Sequence, residues 1–265
     1  MTPKSAVPLL HVAAVLLACF LLSCGSSSSG GGGAKGPYDV VGNWQVGFSS
    51  TVGASSSGFG VIDSAGLAGF FDNSGNIFQL PAINGATSFS GNLNAYAVNG
   101  NPFSGGVYDL SGTAQGTVSS AIVIAGHFTA SGTSGTFTVD PYSPLSGSYA
   151  PLLGAYNAKL LGFVDVVNFT FASNGSFTGA DAPNSQASGC AFNGTLTQQG
   201  SSDVFDISYS TIASNGCVAN TLTGVAFESN RDYFNVNNGA DSAYFYAIML
   251  TSTVQERPYV IVIYQ

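Results

Sequence analysis

Hydrophobic and polar residues alternate along many short stretches of the chain beyond residue 36. Apolar residues recur at alternate positions in "NWQVGF" (Asn43–Phe48), "AIVIAGHFTA" (Ala121–Ala130) and "VVNFTF" (Val166–Phe171). A period of two is that of a half-buried β-strand, whose successive side chains point to opposite faces. Turn sequences such as "NSGN", "VNGN" and "NNGAD" separate these stretches, and no stretch beyond residue 36 keeps a helical period over three turns. The pattern predicts an all-β protein.

Four short segments recur in the same order about one hundred residues further along the chain. The repetition predicts a tandem duplication, with one β lobe over residues 37–143 and a related lobe over residues 144–265. Each lobe has room for about eight short strands, enough for an antiparallel β-barrel or β-sandwich. An up-and-down barrel would leave no free strand edge, which suits a chain so poor in charge. The matched segments are "GNW" (Gly42–Trp44) with "GAY" (Gly154–Tyr156), "FFDNSGNIF" (Phe70–Phe78) with "FTFASNGSF" (Phe169–Phe177), "FSGNL" (Phe89–Leu93) with "FNGTL" (Phe192–Leu196), and "VYDLS" (Val107–Ser111) with "VFDIS" (Val204–Ser208).

The alternation assigns side chains to the two faces of these strands. In "VYDLS", Tyr108 and Leu110 share a face that we expect to meet a core, while Asp109 faces water or a neighbouring loop. Phe205 and Ile207 form the equivalent apolar pair in the second copy, beside Asp206. An active site built from the two aspartates is the alternative, and it is disfavoured because each aspartate lies in its own copy.

The segment "PYVIVIYQ" (Pro258–Gln265) is apolar at nearly every position. Such a strand is predicted to be buried on both faces, here between the two copies. A strand of a transmembrane barrel would alternate more cleanly, so an integral membrane barrel is disfavoured.

Composition narrows the functional classes. Charged residues make up only 7% of the chain, against about 25% in an ordinary globular domain. Disorder is nevertheless excluded as the general state, because 45% of the residues are hydrophobic, with 19 Phe and 12 Tyr. The net charge is −8 with only 5 Lys and Arg, so nucleic acid is not expected as a partner.

The first 23 residues have the form of a secretory signal peptide. Lys4 precedes an apolar run from Ala6 to Leu22, and small Ser23 follows. The four residues "LLSC", ending at Cys24, resemble the lipobox of bacterial lipoproteins. The resemblance implies cleavage before Cys24 and attachment of fatty acyl chains such as palmitate to it, which anchor the protein in a membrane. In that family an aspartate after the cysteine retains the protein in the inner membrane, so Gly25 implies the outer membrane.

The alternative at the N-terminus is an ordinary signal peptide followed by an accidental cysteine.

Residues 24–36 are expected to be the lipidated cysteine and a flexible tether, "GSSSSGGGGAKG", which has no large apolar side chain to bury. Twelve such residues span about 20 Å on average as a random coil, enough to hold a folded domain clear of lipid headgroups.

Two further cysteines, Cys190 and Cys217, remain in a compartment that oxidises thiols, and we expect them to form a disulfide. Closing a loop of this length stabilises the fold by about 3.5 kcal/mol in the chain-entropy model. A catalytic cysteine is the alternative, but it would need a base, and His127 is the one histidine beyond the signal peptide.

No residue pattern predicts catalysis, a cofactor or a bound metal. Without a Gly-x-Ser-x-Gly motif, His127 is best explained as an ordinary strand histidine. "DNSGN" (Asp72–Asn76) has the composition of a calcium loop but lacks the distant Glu, so a hairpin turn is favoured. Lys159 is interpreted as a surface lysine and Trp44 as a packed aromatic rather than a sugar platform. The remaining residues considered are Asp165 with Asp181 as a glycosidase pair, Asp206, Glu228, Asp232 and Asp241 as a cation cluster, and Asn168, Asn174 and Asn193 in glycosylation sequons.

The order of lipidated cysteine, Gly/Ser tether and β-rich lobes is similar to that of bacterial surface lipoproteins of the factor H-binding and transferrin-binding groups. The likeness implies display at the outer membrane and binding rather than catalysis. We therefore predict a non-enzymatic, membrane-anchored binding or envelope-structural module, whose partner could be a protein, a glycan or a small apolar ligand. The alternatives are a carrier with an apolar barrel cavity, and a hydrolase with clustered carboxylates in a cleft.

Overall fold

The structure is a computed structural model that describes residues 38–51, 55–98, 101–103, 106–120, 123–142, 152–161, 166–181, 190–200, 202–213, 217–229, 233–234, 244–253 and 257–264. Within these ranges the regular elements are sixteen β-strands. They are β1 (Gly42–Ser50), β2 (Ser55–Ile62), β3 (Ala68–Asp72), β4 (Ile77–Leu80), β5 (Ser88–Tyr96), β6 (Asp109–Ser120), β7 (Val123–Ala130), β8 (Thr133–Pro141), β9 (Gly154–Leu160), β10 (Val166–Phe171), β11 (Ser176–Asp181), β12 (Ala191–Gln198), β13 (Val204–Ile212), β14 (Asn220–Ser229), β15 (Tyr244–Ser252) and β16 (Tyr259–Tyr264).

The strands form two closed antiparallel barrels of eight strands each. In the first barrel each strand pairs with the next, and β1 closes the circle by pairing with β8. In the second barrel β9 pairs with both β10 and β16. The prediction of an all-β protein with two tandem lobes is therefore confirmed, and both lobes are barrels. The part of the chain that the structure describes contains no helix long and apolar enough to cross a membrane.

Each barrel is filled by side chains from alternate positions of its strands. On β1, Trp44, Val46 and Phe48 point into the first core, and the indole Nε1 of Trp44 donates a hydrogen bond to the carbonyl oxygen of Val40 at 2.9 Å. The second core is built in the same way, with Phe169 at 0% exposure at its centre. Trp44 is a packed aromatic, as predicted.

A third apolar cluster lies between the two barrels. The outer faces of β2, β3 and β4 in the first barrel pack against the outer faces of β13 to β16 in the second. The rings of Phe71 and Phe227 stack there with centroids 5.9 Å apart, and Phe71 also contacts Tyr246 at 5.3 Å. Both barrels therefore exclude water from a shared surface as well as from their own interiors.

The last strand is buried on both faces, as its sequence predicts. Tyr259, Ile261 and Ile263 point into the second barrel, whereas Val260 and Val262 belong to the cluster between the barrels. A strand that alternates between two apolar surroundings has no polar face, which explains why "PYVIVIYQ" lacks alternation.

The repeated segments have equivalent local structures at shifted places. "FFDNSGNIF" and "FTFASNGSF" both form a hairpin whose Gly75 or Gly175 has a positive φ, of 84° and 79°. In each turn the glycine N–H donates to the carbonyl of the residue three positions earlier, Asp72 or Ala172. These hairpins join β3 to β4 and β10 to β11, so the counterpart lies seven strands later, whereas "GNW" and "GAY" begin β1 and β9, eight strands apart. In three of the four matched pairs, the second segment therefore lies one strand earlier in its barrel than the first segment does in its own.

The two "V-aromatic-D" segments differ at the aromatic residue. Phe205 and Ile207 lie in the second core, and Asp206 is exposed, as expected. Tyr108, by contrast, is half-buried outside both cores, with Arg257 above its ring at 5.0 Å. The expectation that Tyr108 and Leu110 face a core is wrong: both are half-buried and neither belongs to a core cluster, because they lie at the start of β6, where Tyr108 packs against Arg257 instead.

Candidate binding groove on the first barrel

A pair of glycines faces the core of the first barrel from neighbouring strands. The register places Gly116 of β6 opposite Gly126 of β7, with Phe89 and Phe137 opposite them on β5 and β8. A Cβ atom on Gly126 would lie 2.6 Å from Cζ of Phe137, and a Cβ atom on Gly116 would lie 2.6 Å from Cζ of Phe89. The rings fill the space that side chains at the glycines would need, so the backbone of β6 and β7 can lie close to the core.

A groove of about 700 Å³ lies on the outer face of the sheet, over this row. The backbone of Phe89, Gly116, Gly126 and Phe137, which lie side by side on β5 to β8, forms its floor. The outward side chains before and after these residues form its walls. Neighbouring strands are about 4.8 Å apart, and residues two positions apart along a strand are about 7 Å apart. One wall consists of Ser90, Gln115, His127 and Thr136, and the other of Ser88, Thr117, Ala125 and Thr138.

Two further cavities of about 410 Å³ each adjoin the groove. The first lies on the other side of the wall formed by Ser90, Gln115 and His127, and runs beside the groove over β5 to β7. The second shares Thr136 and Thr138 with the groove and extends it over β1 to the serines of β2. The 700 Å³ cavity and this extension form one continuous depression, which we call the β5–β8 groove.

The polar side chains of the two walls make no side-chain hydrogen bond to any residue that the structure describes. The lining contains no Asp, Glu, Lys or Arg side chain. The groove therefore offers hydroxyl, amide and imidazole groups as donors and acceptors, in two rows across the strands. These side chains are Ser88, Ser90, Gln115, Thr117, His127, Thr136 and Thr138.

A second, smaller pocket of about 320 Å³ lies where the β2–β3 turn meets the second barrel. Asp63 and Asp206 both line it. Oδ1 of Asp63 accepts hydrogen bonds from the backbone N–H groups of Ala65 at 2.9 Å and Leu67 at 2.6 Å. Burial raises the pKa of the Asp63 carboxyl, and the negative charge of Asp206 raises it further.

Asp206 is also engaged in a structural hydrogen bond. The Nε2 group of Gln199 donates to Oδ1 of Asp206 at 2.6 Å, and Oε1 of the same amide accepts the N–H of Ser64 at 2.8 Å. The side chain of Gln199 thus joins the β2–β3 turn of the first barrel to β13 of the second. Both carboxylates of this pocket serve as acceptors that order turns and connect the barrels.

The four acidic residues considered as a cation cluster do not come together within the described residues. Asp232 and Asp241 lie outside them, and Asp206 and Glu228 lie on β13 and β14. Burial raises the pKa of half-buried Glu228, with a further increase from the charge of Asp203. Among the described residues no three His, Cys, Asp or Glu side chains come close enough together to hold a metal ion.

The structure shows the surroundings of three further candidates, namely the cysteine pair, His127 and Asp72. Cys190 and Cys217 form the predicted disulfide, with 5.7 Å between their Cα atoms. His127 is an exposed strand residue, as predicted, but it also lines the groove. Oδ1 of Asp72 accepts the N–H groups of Ser74 and Asn76 at 2.9 Å each, which confirms a hairpin turn.

The other positions considered from the sequence lie apart from the two pockets or outside the described residues. Cys24, the tether and Asp165 lie outside the described residues, and Asp181 is described only as part of β11. Lys159 is half-buried on β9. The sequon residues Asn168, Asn174 and Asn193 are all exposed on the second barrel.

No family model, curated protein or solved structure matches this chain. The assignment of the site therefore depends on its geometry and chemistry.

Sequence reasoning found the strands that carry the groove but not the groove. The polar positions of "GTAQGTVSS" on β6 alternate clearly, so Gln115 and Thr117 could be assigned to a solvent face. Their alignment with His127 and Thr136 depends on the registers of three strand pairs, which alternation alone does not fix.

Proposed function

We propose that this chain is an outer-membrane lipoprotein, anchored through acyl chains on Cys24, whose two-barrel body is a non-catalytic binding module. The observation that carries the binding role is the β5–β8 groove, in which seven polar side chains without a described partner surround one depression. The anchor and the location follow from the likeness of residues 21–24 to a lipobox and from Gly25.

The carrier alternative has less support. A carrier of a small apolar ligand needs an apolar cavity of several hundred Å³. Both barrel interiors are instead packed with large side chains such as Phe137 and Phe169, at 1% and 0% exposure. The 700 Å³ cavity lies on the outer face of the first barrel, and the 320 Å³ cavity lies at the junction of the barrels.

The hydrolase alternative depends on the pocket of Asp63 and Asp206. A raised carboxyl pKa in a cleft is the property expected of a general acid. However, Asp63 accepts two backbone hydrogen bonds and Asp206 accepts one from Gln199, so both are committed to holding the turns. These contacts support a structural role and do not favour a second function.

Membrane fractionation of two variants, compared with the wild type, tests the anchor. Cys24→Ala removes the acceptor of the acyl chains, so the protein should move from the membrane pellet to the soluble fraction. Cys19→Ala is the matched control, because it removes a cysteine from the same segment and should leave the protein in the pellet. Cys24→Ala protein that stays in the pellet would contradict the proposal.

The location is tested by changing the residue after the anchor. If the lipobox likeness holds, Gly25→Asp should move the protein to the inner-membrane fraction of a density gradient, whereas Gly25→Asn should leave it in the outer-membrane fraction. Wild-type protein in the inner-membrane fraction would contradict the assigned membrane and leave the anchor itself intact.

A further inference from the structure

We propose that the β5–β8 groove binds a single chain of an uncharged polysaccharide. This inference rests on the proposed binding role and names the chemical class of its ligand. It follows from three properties of the groove, namely its donors and acceptors, its lack of charge and its continuity.

The donors and acceptors match hydroxyl groups. The Ser and Thr side chains of the walls each donate one hydrogen bond and accept others, and the amide of Gln115 has both kinds of group. A sugar hydroxyl also donates and accepts, so it can pair with any of them. An apolar ligand would instead remove these polar groups from water without replacing their hydrogen bonds.

The lack of charge selects against ionic ligands. The groove has no Lys or Arg side chain to pair with a uronate, sulfate or phosphate, and the chain carries a net charge of −8. It also has no carboxylate to pair with a polycation. Among hydroxyl-rich polymers this leaves the neutral ones.

The continuity of the groove indicates a polymer rather than a small sugar. The walls run across β5, β6, β7 and β8, and the adjoining cavity extends them over β1 to Ser55, Ser56 and Ser57 on β2. Six strands at about 4.8 Å spacing give a path of roughly 24 Å. A path of this length, open to solvent, can hold several consecutive sugar units of one chain.

The groove is also preorganised. Its walls stand on strands of a closed barrel, so their spacing is fixed by backbone hydrogen bonds before the ligand arrives. The glycine pair, Gly116 and Gly126, sets the depth of the floor from inside the barrel. Binding therefore needs no rearrangement of the backbone.

Affinity electrophoresis tests this inference on the full-length protein in detergent micelles. Dextran, galactomannan and xylan serve as neutral probes, and alginate serves as an anionic probe. At least one neutral polysaccharide should retard the protein, and alginate should not. Because no ion pairs are formed, the retardation should be the same in about 0.05 M and about 0.5 M salt.

Two arginine substitutions locate the binding site. Thr117→Arg places a bulky cation in the groove from an exposed position and should weaken binding at least tenfold. Thr178→Arg is the matched control, because Thr178 is an exposed threonine on β11 of the second barrel, and it should bind as the wild type does. Both variants change the net charge equally, and equal urea midpoints would show that both are folded.

Several outcomes would overturn the proposal. These are retardation by none of the three neutral polysaccharides, retardation by alginate as strong as that by a neutral probe, and equal binding by Thr117→Arg and the wild type. A protein captured from envelope extract by the wild type but not by Thr117→Arg, without polysaccharide binding, would assign the groove to a protein ligand instead. The assay contains no bilayer, so its result is independent of the Cys24 fractionation.

Discussion

Asp109 of the first barrel and Arg257 of the second form a salt bridge across 148 residues of sequence, with Nε of the guanidinium donating to Oδ1 at 3.0 Å. Asp206, the counterpart of Asp109 in the repeated segment, accepts from Gln199, whose side chain also binds the backbone of Ser64. Both repeated aspartates therefore point outward and take part in contacts that join the barrels. Their recurrence marks a pair of structural positions rather than a divided active site.

The salt bridge should contribute little to stability. The side chains of Arg257 and Asp109 are 39% and 61% exposed, and pairs of this kind contribute about 0.2–1 kcal/mol. Asp109→Asn should lower the free energy of unfolding by less than about 1 kcal/mol. Arg257→Gln should cost more, because the contact of the guanidinium with Tyr108 adds about 0.5–1 kcal/mol. A double-mutant cycle by urea unfolding measures the coupling, and a value above about 2 kcal/mol would contradict this assessment.

The apolar surface between the barrels should make them unfold together. Phe71 is 0% exposed and contacts rings of the second barrel, so Phe71→Ala should lower the free energy of unfolding by about 3–5 kcal/mol. Tryptophan fluorescence, from Trp44 in the first barrel, and circular dichroism should report the same midpoint. Leu153→Ala is the control, because Leu153 is 62% exposed and its removal should stay within about 0.5 kcal/mol. Two separate transitions in the wild type would show that the interface does not couple the barrels.

The glycine pair beneath the groove should tolerate no side chain. A Cβ on Gly126 would lie 2.3 Å from the carbonyl oxygen of Gln115 and 2.6 Å from a ring carbon of Phe137. Gly126→Ala should therefore destabilise the protein by about 1–3 kcal/mol. Gly47→Ala, on β1, meets only an ordinary contact at 3.5 Å with Oγ1 of Thr138 and should be neutral or slightly stabilising. Equal thermal midpoints for the two variants would contradict the assigned packing.

The raised pKa of Asp63 predicts a pH dependence of stability. The folded state binds the proton of this carboxyl more tightly than the unfolded state, in which the pKa of the carboxyl is near 3.8. As the pH rises from about 3.8 to the higher folded value, the unfolded state loses its proton first, so this group lowers the free energy of unfolding over that window. Below the window its contribution is absent, and above it the loss is constant.

Asp63→Asn tests this dependence while keeping an oxygen for the backbone N–H groups of Ala65 and Leu67. The stability difference between the variant and the wild type should move in favour of the variant as the pH rises from about 3 to about 6, measured by urea unfolding at each pH. Asp140→Asn, on β8 away from the pocket, is the control. A difference that moves in the opposite direction would refute the assigned cause.

Local patterns in the sequence were sufficient for the strands and their inward residues. The alternation around Ile207 and the doubly apolar "PYVIVIYQ" both correspond to what the structure contains. The sequence could not reveal which residues lie opposite each other on paired strands, because the register of an antiparallel sheet depends on tertiary structure. It therefore missed the alignment of Gln115 with His127, and it misassigned Tyr108, which lies one residue before its strand.

The repeat shows a similar limit. The four matched segments indicated two copies, and two closed barrels are present. The matches could not show that three of the second segments lie one strand earlier in their barrel. A short motif identifies a strand or hairpin, but it does not tell which strand of the barrel it is. The hydrogen bond between Ser64 and Gln199 could not be predicted either, since it joins turns far apart in the chain.

The pairing of β9 with β16 has a consequence for how the molecule is made. Leu160 lies opposite Ile261, so the second barrel cannot close until about one hundred further residues have emerged, a long-range contact of the kind that slows folding. Val260 and Val262 of the same strand also face the first barrel. Until β14, β15 and β16 are synthesised, the apolar exterior of β2 and β3 lacks the strands that cover it, and a nascent chain at that stage is a natural substrate for a holding chaperone.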